Sequence, residues 1–125
     1  MTAKDEPRLR DYLGHILAAI DRIDRYTEDM DREGFALAEQ TQDAVIRNLE
    51  IIGEAARNIE RRYPAFAREH ADVPWGFAYE MRNALAHGYF SVDLGIVWDT
   101  IELDLPEFAT RVRVLLDEVA REQKS

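Results

Sequence analysis

The sequence predicts an all-α fold, an antiparallel bundle of long amphipathic helices. Apolar residues recur at alternating spacings of four and three, which is the period of helices that each bury one stripe. No segment shows the two-residue alternation of a half-buried strand. The 125 residues contain no internal repeat and no low-complexity segment. We therefore expect one helical domain covering residues 1–125.

The first predicted helix runs from about Arg8 to Met30. The polar stretch 28–33 follows its apolar seam, and Gly34 is the predicted turn. His15 lies beside the seam, so we interpret it as a partly exposed or core-edge histidine. The seam itself consists of Leu9, Leu13, Ile16, Ile20 and Ile23.

The second long helix is predicted to begin at Phe35 or Glu39 and to end at Arg62, because a proline at position 64 follows. Gly53 in its middle costs about 1 kcal/mol relative to alanine, so we expect it to permit close approach of another helix or of the loop near residue 88. The seam consists of Val45, Leu49, Ile52, Ala56 and Ile59.

Two groups of charged residues on this helix invite functional readings. Glu50 and Glu54 are one turn apart, but a di-iron site needs Glu-x-x-His partners and none of the three histidines has one. We therefore expect a solvated or hydrogen-bonding role for both. Arg57, Arg61 and Arg62 are interpreted as solvent-facing, with a surface that follows an RNA strand as the alternative.

A short helical turn is predicted at residues 65–71. Asp72 and Pro74 then form a start signal for a helix that begins near Trp75. Aromatic side chains at this point could stack on nucleic-acid bases, but their spacing favours core packing. The residues expected to be buried here are Trp75, Phe77 and Met81.

The last helix is predicted to start at a cap formed by Ser91 or Asp93. Its seam crosses Pro106 without a break, so we predict one helix kinked there, with two abutting helices as the alternative. The seam consists of Leu94, Trp98, Ile101, Leu105, Phe108, Val112, Leu115 and Val119.

Composition limits the functions that this chain can have. The formal net charge of −9 argues against a broad nucleic-acid interface, although a local site remains compatible with it. The absence of cysteine excludes disulfides, thiolate metal sites and thiol catalysis. The first residues are acidic where a secretory signal is basic, and no apolar run reaches membrane-spanning length. We expect a cytoplasmic protein with no membrane partner.

The stretch 82–90, RNALAHGYF, gathers an arginine, an imidazole and a phenol at Arg82, His87 and Tyr89. Its middle favours helix, and Gly88 suits the left-handed position that ends one. Arg82 and His87 are five positions apart, so on a straight helix they lie about 140° apart around the axis. They act together only if the helix end is distorted or a second copy of the chain supplies the complementary residue.

The residue types in this stretch suit RNA cleavage without a metal. His87 can serve as acid or base near neutral pH, while Arg82 stays charged and binds phosphate oxygens in bidentate fashion. The residue types taken alone favour a structural interpretation instead. In it, Arg82 pairs with a carboxylate, His87 caps a helix end and Tyr89 packs with its hydroxyl in water.

The spacing of Arg82, His87 and Tyr89, with Asn83 directly after the arginine, resembles the signature of the HepT-like branch of the HEPN superfamily. Further segments resemble that family in the same order, and together they cover roughly residues 40–116. These segments are 43–55 (DAVIRNLEIIGEA), 74–75 (PW), 97–98 (VW) and 105–106 (LP).

The resemblance implies a ribonuclease toxin: a metal-independent endoribonuclease whose composite site is built from the motifs of both subunits of a homodimer. Arg82 and His87 would be catalytic, and Asn83 would orient a partner or donate to the phosphate. RNA would be the substrate, with no cofactor and no metal.

The same resemblance implies a protein partner. A nucleotidyltransferase antitoxin of the MntA kind would silence the toxin by transferring AMP to Tyr89. Two other functions remain open: a non-catalytic HEPN module that binds a nucleotide or partner beside a nucleotidyltransferase, and a structural dimer whose site has decayed. The intact Arg82, His87 and Tyr89 count against decay.

Overall fold

Helices make up most of the computed structural model, which describes residues 8–76 and 93–124. Those residues contain no strand, so the predicted all-α fold class is confirmed. The elements are α1 (Leu9–Thr27), α2 (Arg32–Leu37), α3 (Glu39–Arg62), α4 (Pro64–Glu69), α5 (Leu94–Asp99), a π-helical segment (Thr100–Asp104) and α6 (Leu105–Lys124).

The two long helices α1 and α3 pack against each other along most of their length. Tyr12 near the start of α1 and Asn58 near the end of α3 line the same cavity. Farther along α1, Arg22 donates a hydrogen bond to Asn48, which precedes Asn58 by almost three turns. The contacts therefore run in opposite order along the two helices, which makes the pair antiparallel, as predicted.

The predicted seams form one hydrophobic core. In α1 the seam from Leu13 to Ile23 is buried, while Leu9 is partly buried at the edge. All the predicted seam residues of α3 are buried, and α6 also packs on α1. The bounds of α3 match the prediction that begins at Glu39, whereas α1 ends at Thr27 rather than at Met30. The apolar period thus located the long helices and their buried faces.

The prediction of a turn at Gly34 is wrong. Gly34 lies in the first turn of α2, where its backbone N–H donates to the Asp31 carboxylate at 2.7 Å. Asp31 is therefore the N-cap of a short helix, and the turn precedes it at residues 28–31. A helix of six residues is too short to show an apolar period, so the glycine was the strongest local signal.

The backbone hydrogen-bond pattern of the last helical run changes just before Pro106. Ahead of the proline, the π-helical segment forms the bond from the Leu105 N–H to the Thr100 carbonyl, five residues back. Proline has no N–H and crowds the carbonyl of Glu102, four residues earlier, so a wider turn relieves the clash. The prediction of one continuous run, rather than two abutting helices, is confirmed.

The seam of this run stays in the core on both sides of the π-helical segment. Its members from Trp98 to Val119 are buried, and Leu94 packs at the edge. No helix in the described ranges is both long enough and apolar enough to cross a bilayer.

Candidate active site

The four candidate site residues belong to the segment 77–92, outside the described residues. These residues are Arg82, Asn83, His87 and Tyr89. Phe77 and Met81, which are predicted to be buried, belong to the same segment, as does the alternative cap Ser91. The described structure establishes how the chain enters this motif segment and how it leaves it.

The chain enters the motif segment through a hydrogen-bonded bend after α4. The Val73 N–H donates to the His70 carbonyl at 3.0 Å, and the Trp75 N–H donates to the Val73 carbonyl at 2.8 Å. The Trp75 indole Nε1–H donates to the His70 carbonyl at 3.2 Å. Trp75 and Gly76 have helical backbone, which confirms the predicted helix start near Trp75.

Trp75 is a core residue, as its spacing predicts. Its side chain is only 3% exposed. The ring meets Phe108 of α6 edge-on at a centroid distance of 6.3 Å and the Phe66 ring of α4 at 6.4 Å. A ring buried in this way has no free face for a nucleic-acid base, so its role is to fix the start of the motif segment.

The bend through which the chain enters the motif segment is also held by an arginine that the sequence pattern does not indicate. Arg111 of α6 donates to the Asp72 carboxylate at 2.7 Å and to the Asp72 carbonyl at 3.3 Å. Its second guanidinium nitrogen pairs with Glu107 at 3.1 Å. Asp72 and Arg111 are 39 positions apart, and no local pattern signals such a pair. The contact ties the bend before the motif to the last helix.

The chain leaves the motif segment at a capped helix start. The Asp93 carboxylate accepts from the N–H groups of Gly95 at 2.9 Å and Ile96 at 3.2 Å, which confirms Asp93 as a cap. On the next turn, Asp99 pairs with Arg32 of α2, and Arg32 also donates to the Gly95 carbonyl. Both ends of the motif segment are therefore anchored to other helices.

A second polar region lies in a groove between α1 and α3. It encloses a cavity of about 350 Å³. His15 is exposed there, as predicted, and its ring stands nearly perpendicular to Tyr12 at 6.3 Å. Arg47 lies 3.9 Å from Glu50, a long and solvated ion pair. The lining residues are Tyr12, His15, Arg47, Glu50, Ile51, Glu54, Ala55 and Asn58. Among the described residues, no three acidic or imidazole groups converge on a common point suited to a metal ion.

Comparisons with known proteins identify the family to which this chain belongs. The family model "Ribonuclease HepT-like" matches residues 16–115. A "Probable ribonuclease HepT" from Thermococcus cleftensis is 43% identical over 97 residues, which is 78% of this chain and 86% of that protein. The chain therefore belongs to the HepT-like ribonuclease family. This confirms the resemblance drawn from the motif and its flanks.

Two further relatives show how the match extends along other chains. A "Putative RNase" from Caldanaerobacter subterraneus subsp. tengcongensis is 36% identical over 107 residues, covering 86% of this chain and 93% of the relative. A "Gamma-glutamylcyclotransferase and putative RNase" from Methanocaldococcus jannaschii is 36% identical over 114 residues. That alignment covers 91% of this chain, which spans only 50% of the relative. No solved structure gives a significant match.

Proposed function

We propose that this protein is the toxin of a toxin–antitoxin pair and cleaves RNA as a metal-independent endoribonuclease. The observation that carries the proposal is the Arg82, His87 and Tyr89 motif within a chain that belongs to the HepT-like ribonuclease family. The names of the relatives, which describe ribonucleases, support the same activity.

The proposed reaction is an internal transfer at an RNA phosphate. A ribose 2′-hydroxyl attacks the adjacent phosphorus, its proton passes to a base, and the 5′-oxygen of the next nucleotide leaves with a proton from an acid. His87 supplies acid–base chemistry near neutral pH. Arg82 binds the phosphate oxygens and offsets the charge that grows in the transition state, while Asn83 orients one of these groups.

The proposed active unit is a homodimer with a composite site. Arg82 and His87 point in different directions on a straight helix, being about 140° apart around its axis. A two-fold axis beside the motif brings both copies of each residue together, so an arginine of one subunit can act with a histidine of the other.

The proposed antitoxin is a nucleotidyltransferase of the MntA kind. The Tyr89 hydroxyl attacks the α-phosphorus of ATP and gives its proton to a base of the partner enzyme. The bond to the β-phosphate breaks, pyrophosphate leaves, and AMP remains on the phenol oxygen. A phenol with an ordinary pKa of about 10 is a poor base at neutral pH but a good acceptor in a partner's metal-bound ATP site. The attached phosphate, two residues from His87, competes with RNA for Arg82 and blocks the site by charge and volume.

An RNA cleavage assay on the purified protein tests this proposal. We expect His87→Ala to abolish cleavage and His15→Ala, which removes an exposed histidine outside the motif, to leave the rate unchanged. Arg82→Lys is expected to be impaired because an ammonium cannot reproduce the planar guanidinium fork. Addition of a chelator should have little effect. Wild-type cleavage by the His87→Ala protein would refute the assignment, and absence of cleavage by the wild type would favour the non-catalytic module.

A further inference from the structure

Four arginines near the junction of α3 and α4 are exposed and have no ionic partner among the residues that the structure describes. Arg57, Arg61 and Arg62 lie in the last two turns of α3, and Arg68 lies in α4. None of the four forms an ion pair or a side-chain hydrogen bond with another described residue. Most other described arginines are engaged: Arg22 with Asn48, Arg25 with Asp21, Arg32 with Asp99, Arg47 with Glu50, and Arg111 with Asp72. We call the group formed by Arg57, Arg61, Arg62 and Arg68 the arginine patch.

The patch is a basic region on an acidic protein. Residues 57–69 contain four arginines and two glutamates, a charge of +2, so the rest of the chain, whose total is −9, carries −11. A polyanion approaching this molecule is therefore repelled by most of the surface and attracted at this place. Such a contrast favours a short, localised contact with a few phosphates over a broad interface.

The patch lies beside the start of the motif segment. Arg57 and Arg61 are one turn apart, so they share a face of α3, about 6 Å apart along the helix axis. Arg68 lines a cavity of about 370 Å³ whose other wall includes Pro74, Trp75 and Gly76. Of the four arginines, Arg68 thus reaches the point from which the chain runs into the motif, and Glu60 of α3 lines the same cavity.

The surroundings of the patch fit nucleic acid better than a protein partner. Arginine is enriched at protein interfaces as well, but there it accompanies buried aromatic anchors. The large exposed apolar residues of the described structure all lie elsewhere, at Tyr26, Leu37, Ile96, Leu103 and Val114. Two glutamates, Glu60 and Glu69, lie in the same segment, but none of the four guanidinium groups forms an ion pair with a described carboxylate. These groups therefore offer bidentate donors, for which phosphate oxygens are matching acceptors.

We propose that the arginine patch binds the phosphodiester backbone of the RNA strand next to the cleavage site. This inference rests on the proposed ribonuclease function and adds the surface that positions the substrate. The contact is electrostatic and independent of base sequence, so the patch contributes to RNA affinity while the choice of cleavage position lies elsewhere.

Titration of a fluorescent single-stranded RNA of about a dozen nucleotides at several salt concentrations tests the proposal, with anisotropy as the readout. All proteins carry His87→Ala so that the RNA stays intact. Arg57→Gln/Arg61→Gln removes two patch cations. Arg113→Gln/Arg121→Gln is the matched control, since it removes two exposed α6 arginines that have no ion pair among the described residues. Both double variants change the net charge equally.

We expect the patch variant to bind RNA more weakly, on the order of tenfold at low salt, and its log–log salt slope to fall by about 1.4, which corresponds to two single-strand phosphate contacts. The control variant should change affinity less than about twofold, by long-range charge alone. Arg57→Lys/Arg61→Lys should keep most of the affinity and the wild-type slope, because a lysine also neutralises a phosphate.

Equal weakening by the two double variants would overturn the inference, because net charge would then explain the effect. Unchanged RNA binding by the patch variant, together with lost association with the nucleotidyltransferase, would also overturn it by assigning the patch to a protein partner. If the patch variant in an otherwise wild-type background cleaves and binds RNA normally, the inference fails and the ribonuclease function stands. Patch-dependent RNA binding without cleavage by the wild type would uphold the surface and refute the ribonuclease.

Discussion

Asn48 is a buried polar residue in the middle of α3, and both ends of its side-chain amide are satisfied. Its Nδ2 donates to the Ala44 carbonyl at 2.9 Å, and its Oδ1 accepts from the Arg22 Nε at 2.7 Å. A buried amide left without partners costs about 1–3 kcal/mol, so these bonds decide whether the residue is tolerated. The helix period places Asn48 beside the seam residue Leu49, but no local signal identifies Arg22 as its partner.

Asp24 is expected to make the stability of the folded protein depend on pH. Asp24 lies at the exposed surface, where desolvation by neighbouring protein atoms, and secondly the Asp21 carboxylate, raise its pKa above the ordinary value of 3.8. The folded state then holds the proton more tightly than the unfolded state. By linkage, the tighter proton binding favours the folded state. This stabilisation is fully present below the ordinary pKa and is lost as the pH rises through the raised pKa of the folded state. We therefore expect Asp24→Asn to raise the melting temperature at pH 7.

The same substitution should change the melting temperature little at a pH well below the ordinary pKa, where Asp24 is protonated in both the folded and the unfolded state. Melting curves of wild type and Asp24→Asn, recorded from below the ordinary pKa of 3.8 up to pH 7, provide the measurement. Asp117→Asn removes the same charge from another exposed position, in α6, and serves as the control. An equal gain from both substitutions would mean that lower net charge, rather than the raised pKa of Asp24, explains the higher melting temperature.

Tyr89 is the residue on which the proposed silencing depends. We expect co-expression with the cognate nucleotidyltransferase to add one or more AMP units to the wild-type chain and to suppress cleavage. Tyr89→Phe lacks the acceptor oxygen, so it should gain no AMP and remain active. Intact-mass and peptide mass spectrometry measure the adduct, with Tyr63→Phe as the control for loss of a phenol elsewhere. An adduct on another residue would refute this assignment.

At the scale of elements, the apolar period predicted the long helices because each must bury a stripe several turns long. The apolar period did not predict the shorter features. The six-residue α2 depends on the Asp31 cap and not on a period, and a π-helical segment needs only one altered turn. Pro106 did indicate where the last helix would be irregular. It could not show that a wider turn, in place of a break, absorbs the irregularity.

The π-helical segment leads to a prediction about a deletion. A turn closed over five residues instead of four holds one extra residue, so removing one residue can restore an α-helix without rotating the seam. Leu103 is 70% exposed and is the residue to remove. In a Pro106→Ala background, which permits a regular helix, we expect deletion of Leu103 to change the free energy of unfolding by only about 1 kcal/mol.

Deletion of Val114 is the matched control for this experiment. Val114 is also apolar and exposed, but it lies in the regular helix α6. Its removal rotates all later residues by about 100°, which takes Leu115 and Val119 out of the core and costs several kcal/mol. Denaturant unfolding followed by circular dichroism measures both. Equal damage from the two deletions would show that the π-helical segment does not hold a removable residue.

At the scale of the whole molecule, the sequence offers candidate chemistry for the site but gives no information on how the site is attached to the bundle. Residue types and spacing single out Arg82 and His87. The bonds that anchor the flanks of the motif segment join distant positions, such as Asp72 with Arg111 and Arg32 with Asp99. Pairs of this kind depend on how the helices meet in three dimensions, which no single helix period specifies.

The proposed composite dimer predicts complementation between two variants that are each expected to be inactive. Light scattering should show a dimer for wild type, Arg82→Ala and His87→Ala. If Arg82 of one subunit acts with His87 of the other, a mixed dimer of the two variants keeps one complete pair, and co-refolding them should restore a measurable part of the cleavage rate. Each variant refolded alone is the control. Persistent inactivity of verified mixed dimers would place both residues of each pair in the same subunit.

The burial of Trp75 at the entry to the motif segment provides an optical reporter that needs no label. Its indole sits against Phe108 and donates to the His70 carbonyl, so its emission responds to any shift of the bend that leads into the motif. The chain has only one other tryptophan, Trp98, which lies beside Phe35. A Trp98→Phe protein therefore emits from Trp75 alone. A change in that emission on adding RNA, or after transfer of AMP, would show that binding or modification at the motif alters the packing around Trp75.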